Sequence, residues 1–181
     1  MTIPSKEEIM RLIKSGFDLE LLSFELDIPM EQLEEYSQEL ESYSKTIEKY
    51  KKEIAKNPQN ASNKRNLLAF AYFKAGRMDE ARDELMSLID ERSSYMAYRQ
   101  LIHLEKVEGN FEDAKMWAYD FLDKFPTSTG VANVREQLMS IAREEGDTGE
   151  VIKQLREIIK ISPQDEKSKK MLAEITRGEE R

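Results

Sequence analysis

Few residues in this 181-residue chain are suited to covalent or metal chemistry. It has no cysteine, which excludes a thiolate nucleophile, a disulfide and a zinc–cysteine site within it. The single histidine, His103, cannot form a histidine metal cluster, and no Ser-His-Asp spacing, glycine-rich phosphate loop or zinc-helix motif is present. Acid pairs such as Asp79-Glu80 fit solvated helix starts better than general acids. We therefore predict a protein that is not an enzyme and uses no cofactor and no metal.

The side chains best suited to binding are three basic residues at helical spacing. Arg99, His103 and Lys106 follow one another at steps of four and three, so they project from one face of a helix. An arginine holds a carboxylate through two parallel hydrogen bonds, which gives orientation as well as attraction. In a chain with a net charge of −8, this group is a local reversal of sign. It predicts a preference for a ligand with acidic or carboxylate groups.

Helical hairpins are the elements that must position these residues. In residues 66–89, apolar side chains recur at helical spacing up to Tyr72 and Phe73, and a second helical run follows Gly76. Glycine tolerates the left-handed backbone that ends a helix, so Gly76 marks a tight turn between two helices. Ala81, five residues later, is small enough to let the two helices approach closely. The pattern predicts an antiparallel helical hairpin.

This pattern, a glycine followed five residues later by a small residue, recurs twice along the chain at intervals of 33 and 37 residues. A proline follows 17 residues after the second glycine and after the third, and closes those two units. The three glycines are Gly76, Gly109 and Gly146. The small residues that follow them are Ala81, Ala114 and Val151, and the two prolines are Pro126 and Pro163. Self-similarity at a nearly fixed period indicates a repeat architecture.

The pattern resembles the tetratricopeptide (TPR) repeat, a helix pair of about 34 residues, over residues 62–177. The family places a bulky residue, Leu-Gly, Tyr, Gly, Ala, Phe, Ala and Pro at set positions. After the opening position, the first copy reads Leu68, Ala69, Tyr72, Gly76, Ala81, Leu85, Leu88 and Ser93. The second copy reads Leu101, Ile102, Glu105, Gly109, Ala114, Ala118, Phe121 and Pro126. The third copy reads Leu138, Met139, Ala142, Gly146, Val151, Leu155, Ile158 and Pro163. The opening bulky position is Arg65, Tyr98 and Arg135, so two copies depart from the family there.

The resemblance implies an all-α fold: a TPR-like α-solenoid of three helical hairpins with a C-terminal capping helix, preceded by a small trihelical unit and a long connecting helix. It also implies that a partner peptide or helix binds in the concave groove lined by the first helix of each pair. Among the residues that alignment to the repeat puts on that groove, we expect eight to form the binding site: Asn66, Phe70, Phe73, Arg99, His103, Lys106, Asn133 and Arg143. Chaperone-binding members clamp a C-terminal carboxylate with lysines and asparagines. Here Phe70 and Asn66 replace two clamp residues, which argues against that class of partner.

The first 43 residues are predicted to form a trihelical unit, and residues 44–181 the repeat domain with its cap. Leu22 to Tyr36 is similar to a helix-turn-helix, with Asp27 in place of the usual turn glycine. Residues 15–44 carry nine acids and no Lys or Arg, whereas DNA affinity rests on Lys and Arg at phosphates. We therefore expect a protein-interaction module or a structural cap. The alternative is a peptide-sensing transcription regulator that uses this unit to bind DNA.

One long helix is predicted from Pro29 to Asn57. Its apolar seam alternates steps of three and four: Leu33, Tyr36, Leu40, Tyr43, Ile47, Tyr50 and Ile54. The seam would pack within the monomer or form a coiled-coil dimer. Three tyrosines at one core position fit a tight parallel dimer poorly, so we favour the monomer.

We expect an adaptor in the cytoplasm, because the chain lacks a long apolar run and a signal-peptide core. Its partner should be a protein or peptide, since the negative net charge argues against nucleic acid and membrane.

Overall fold

The structure is a computed structural model that describes residues 4–92 and 94–179. All of its regular elements are helical, which confirms the all-α prediction. A single 3₁₀ turn, Pro58–Asn60, separates the third and fourth α-helices. The α-helices are α1 (Lys6–Lys14), α2 (Leu19–Leu26), α3 (Met30–Lys56), α4 (Ser62–Lys74), α5 (Met78–Arg92), α6 (Tyr95–Val107), α7 (Phe111–Lys124), α8 (Val131–Glu145), α9 (Thr148–Ile161) and α10 (Glu166–Glu179).

The chain divides into two compact units, Met1–Ser93 and Ser94–Arg181. The predicted boundary after residue 43 falls inside α3, and it stays a prediction. Ser93, which stands at the proline position of the first repeat copy, lies outside the described residues.

In the first unit, α1, α2 and the start of α3 share a small apolar core. Its buried members and the half-buried residues packed against them are Ile9, Leu22, Ile28 and Leu33, with Leu12, Ile13, Leu19, Leu26 and Tyr36. Ser5 and Glu8 form a capping box on α1, and the Asp18 carboxylate accepts from the backbone N–H of Leu21 at 3.0 Å to cap α2. Asp27 adopts φ 53° at the end of α2, the left-handed conformation that the turn requires.

The long helix α3 packs inside this unit. Its N-terminal part lies on α1 and α2, and it also packs on α4. Leu33 and Ile47 of the predicted seam are fully buried, and the other five seam residues are half-buried. These contacts favour the intramolecular interpretation of the seam.

Helical hairpins form where the sequence predicted them. The pairs α4–α5, α6–α7 and α8–α9 pack against each other, and Gly76, Gly109 and Gly146 at their turns have φ values of 64°, 77° and 75°. The three small residues that follow these glycines are buried. In the second unit, α8 also contacts α6 and α7. The last helix, α10, packs on α9 through the predicted residues Met171, Leu172 and Ile175.

The three hairpins share one register between their two helices. In each, the residue at the opening bulky position contacts the residues 19 and 22 positions later on the second helix. These contacts join Arg65 to Glu84 and Ser87, Tyr98 to Trp117 and Asp120, and Arg135 to Gln154 and Glu157. The two arginines that depart from the family pattern therefore fill the same place as the aromatic Tyr98. Their contacts at both positions are polar, whereas Tyr98 contacts the ring of Trp117 and the carboxylate of Asp120.

Candidate partner-binding faces

In the second unit, α6 presents the predicted basic residues on the side opposite its packing surface. The packing surface consists of Ala97, Tyr98, Leu101, Ile102, Leu104 and Glu105, all of which are buried. His103 is exposed, while Arg99 and Lys106 are half-buried. Met96, one turn before Arg99, is 42% exposed and adds an apolar side chain to the same side. The spacing of these residues along α6 places the packing residues on one side of the helix and the basic residues on the other.

Two hydrogen bonds join this side of α6 to α8. The Arg99 Nε donates to Oδ1 of Asn133 at 3.1 Å, and the Lys106 Nζ donates to Oγ of Ser140 at 3.3 Å. Both pairs are separated by 34 residues. The structure thus brings predicted site residues of two helical hairpins together. We call the surface formed by Arg99, His103, Lys106, Asn133 and Ser140 the cationic face.

The two hydrogen bonds on the cationic face orient the side chains of Arg99 and Lys106 but do not neutralise their positive charges. An amide oxygen and a hydroxyl oxygen orient Arg99 and Lys106, but neither oxygen carries a charge to cancel theirs. The side chain of Gln137 donates to the same Oδ1 of Asn133 at 3.2 Å, which fixes the acceptor in turn. An oriented guanidinium loses less side-chain entropy when it binds a carboxylate.

Arg143 lies near the end of α8, about one turn after Ser140. Its side chain is exposed, and a terminal nitrogen lies against the sulfur of Met171 on α10. The structure gives it no contact with Arg99 or Lys106. The exposed carboxylate of Glu136 lies on α8 between Asn133 and Ser140 and adds one opposite charge to the region.

In the first unit, the predicted site residues of α4 divide into buried and exposed ones. Asn66 is 8% exposed and donates from Nδ2 to the carbonyl oxygen of Ser62 at 2.9 Å, and Phe73 is 7% exposed. Both are therefore packing residues that offer a ligand little surface. Phe70 is 48% exposed, with the Lys74 Nζ 5.9 Å from its ring centroid. Leu67, which the sequence analysis did not assign to the site, is equally exposed one turn before Phe70.

The electrostatics of the second unit also include a polar network between α7 and α9. The Tyr119 hydroxyl donates to Glu150 at 2.5 Å, and the Lys153 Nζ lies 3.1 Å from that hydroxyl. Burial by itself would raise the pKa of Glu150, but hydrogen bonds from Tyr119, Gln154 and Lys153 outweigh it, so the pKa of this carboxyl lies below its usual value. This network joins neighbouring helices and points to stability, not to acid–base chemistry.

Among residues 4–92 and 94–179, no three His, Cys, Asp or Glu side chains converge as a metal ion would require. None of the helices in the same ranges has the length and apolar character needed to cross a membrane.

No protein-family model and no curated protein matches this chain.

Proposed function

We propose that this protein is a non-enzymatic adaptor that binds a peptide or helix of a partner protein on the cationic face. The observation that supports this most is the pair of bonds from Arg99 to Asn133 and from Lys106 to Ser140. They hold two cations at an accessible surface on uncharged partners. Such an arrangement suits recognition of an anionic group, because the cations are oriented and keep their charge.

We further propose that the hairpins form a TPR-like α-solenoid capped by α10. Three features support it: the glycines at positive φ, the buried small residues after them, and the shared register of the opening residues. In a solenoid, each repeat buries its apolar face against its neighbours and leaves another face for binding. That α4, with Phe70, joins the cationic face in one groove stays a prediction.

The ligand that fits the cationic face has carboxylates next to an apolar anchor. Arg99 would hold a carboxylate through two parallel hydrogen bonds, Lys106 would supply a second positive charge, and Met96 offers an apolar contact. A desolvated charged hydrogen bond is worth about 1.5–3 kcal/mol, and an exposed ion pair about 0–1 kcal/mol. Two partly desolvated contacts would therefore give measurable selectivity without high affinity.

The proposal can be tested with fluorescent peptides in which one leucine is flanked by Asp and Glu, prepared with a free or an amidated C-terminus. A matched set carries Asn and Gln in place of the acids. We expect the full chain to bind the acidic peptides at least about tenfold more tightly than the amide peptides, which corresponds to about 1.4 kcal/mol. Equal affinity for both sets would reject the proposed ligand chemistry.

The DNA-binding alternative receives less support from the surface of the first unit. The unit has one feature that fits a helix-turn-helix, the left-handed turn at Asp27. Its third helix, however, begins with exposed Glu31, Glu34 and Glu35, which would repel phosphates. We propose that this unit contacts protein. A gel-shift assay with duplex DNA at low salt tests this, because retardation of the DNA would favour the transcription regulator instead.

A further inference from the structure

The second helix, α2, carries an apolar surface that the fold leaves in solvent. Phe24 is 87% exposed, Leu21 is 47% exposed, and Phe17, just before the capping Asp18, is 49% exposed. We call these three residues the α2 ridge. They are absent from the core of the first unit, which α2 joins through Leu19, Leu22 and Leu26. Three large apolar side chains at steps of four and three, exposed on one short segment, mark an interaction surface.

Acidic residues border the α2 ridge on both sides. On the helical projection of α2, Glu20 lies about 40° from Phe24 and Glu25 lies about 40° from Leu21. Both carboxylate side chains are exposed. The surrounding sequence is acidic as well, because residues 15–44 contain nine Asp and Glu and no Lys or Arg.

We propose that the α2 ridge binds a cationic amphipathic helix of a partner protein. The apolar face of that helix would cover Phe17, Leu21 and Phe24, and its Lys or Arg side chains would pair with Glu20 and Glu25. This is the helix-in-groove type of recognition, in which apolar residues anchor and flanking charges select. A second copy of this chain is a poorer occupant, because its own α2 ridge would bring carboxylates against carboxylates.

This site differs from the cationic face in the unit that carries it and in the charge around it. The cationic face lies in the second unit and would attract acids, whereas the α2 ridge lies in the first unit and would attract bases. The chain would thus act as an adaptor with two docking surfaces of opposite preference. Its two partners would then be distinguished by charge, so that neither would compete for the other's surface.

The probe is a dansyl-labelled 18-residue peptide of leucine and lysine, with the leucines at helical spacing, and a matched peptide with glutamate at every lysine position. Binding of the full chain is measured by fluorescence anisotropy near physiological salt. Phe24→Ser and Leu21→Ser test the anchor, and Ile161→Ser, which removes an apolar side chain of 51% exposure in the second unit, is the control. Glu20→Gln with Glu25→Gln tests the charges. Asp113→Asn with Glu144→Gln is its control, since it alters net charge equally and removes acids from the first turn of one helix and the last turn of another.

We expect the lysine peptide to bind and the glutamate peptide not to bind. Phe24→Ser should weaken binding at least about tenfold, and the double glutamine variant about fivefold, while both controls leave binding unchanged. Binding that Phe24→Ser and Ile161→Ser affect equally would overturn the proposal, as would no binding. A dimer in sedimentation that dissociates in the Phe24→Ser variant would show that the α2 ridge binds a second copy of the chain, and would also overturn the proposal.

Discussion

The Arg99 side chain donates from Nε to Oδ1 of Asn133 at 3.1 Å, across 34 residues of sequence. Lys106 and Ser140 repeat this relationship seven residues further along both helices. Since seven residues are about two helical turns, the two bonds lie on one side of α6 and one side of α8. Two first helices of successive hairpins are thereby aligned side by side, with their basic residues oriented at the surface. The proposed function rests on this alignment.

Gly76→Val should destabilise the first unit by about 1–3 kcal/mol, because a β-branched residue tolerates φ 64° poorly. A Cβ at Gly76 would be in ordinary van der Waals contact with the backbone nitrogen of Arg11 at 3.5 Å, so the two methyl groups of valine would add crowding there, whereas nothing lies within 4 Å of a Cβ at Gly109. Gly109→Val therefore serves as a matched control that carries the backbone strain alone. Urea unfolding should show the larger loss for Gly76→Val. An unchanged midpoint for Gly76→Val would mean that the turn is placed wrongly.

Arg65→Met should lower the free energy of unfolding by about 1–3 kcal/mol, a value between those of exposed and buried ion pairs. Arg65 bonds to Glu84, to Ser87 at 2.7 Å and to Glu91 at 2.8 Å, and its side chain is largely buried. Adding Glu84→Leu should recover about 1 kcal/mol, since two apolar side chains replace a half-buried ion pair at little cost. A double-mutant cycle by urea unfolding measures the coupling. Strictly additive losses would show that Arg65 and Glu84 do not act as a pair.

Local signals in the sequence were sufficient for the helices and turns. Gly76 and Asp18 determine a turn and a cap through their own backbone and side chain, so their roles could be predicted without the rest of the fold. The role of Arg65 could not, because its partners lie 19 to 26 residues away on another helix. The sequence shows that Arg65 departs from the family pattern at this position, but it does not show which residues Arg65 contacts instead.

The accessible surface was harder to predict than the helices. Asn66 and Phe73 were predicted to face a ligand but are buried, because a small rotation of α4 decides which of its residues face neighbouring helices. The α2 ridge was missed for a related reason. Apolar residues lie on two sides of α2, and only packing against α1 and α3 decides that Leu22 is buried and Phe24 is exposed.

The bonds to Glu150 should make stability depend on pH in the acid range. Its pKa is lowered in the folded state, so the folded protein binds fewer protons there than the unfolded chain. The stabilisation is complete above the ordinary value of 4.5 and is lost as the pH falls through the folded-state pKa. Glu150→Gln should therefore be less stable than the parent at pH 7, and the difference in stability should shrink as the pH falls below 4.5. Glu144→Gln, at an exposed position on α8, is the control, and parallel pH profiles for Glu150→Gln and the parent would contradict the prediction.

The packing of α3 predicts a monomer of 21.1 kDa in sedimentation at micromolar concentration. Tyr43 is half-buried, and its hydroxyl donates to Glu39 at 2.9 Å. Tyr43→Lys should lower the free energy of unfolding by about 1–2 kcal/mol without changing the mass, and Tyr43→Phe should cost less because it keeps the ring. A dimer whose dissociation follows Tyr43→Lys would establish the coiled coil instead.

The most direct test of the adaptor proposal is the affinity of the acidic leucine peptide for the double variant Arg99→Glu with Lys106→Glu. Lys45→Glu with Lys170→Glu makes the same change in net charge at two exposed lysines and is the control. Circular dichroism should show equal helicity and melting for both variants. The proposal predicts that the Arg99 and Lys106 reversal weakens binding at least about thirtyfold, which corresponds to about 2 kcal/mol, and that the control keeps most of the affinity. Equal binding by the two variants would contradict it and show that the acidic peptide binds elsewhere.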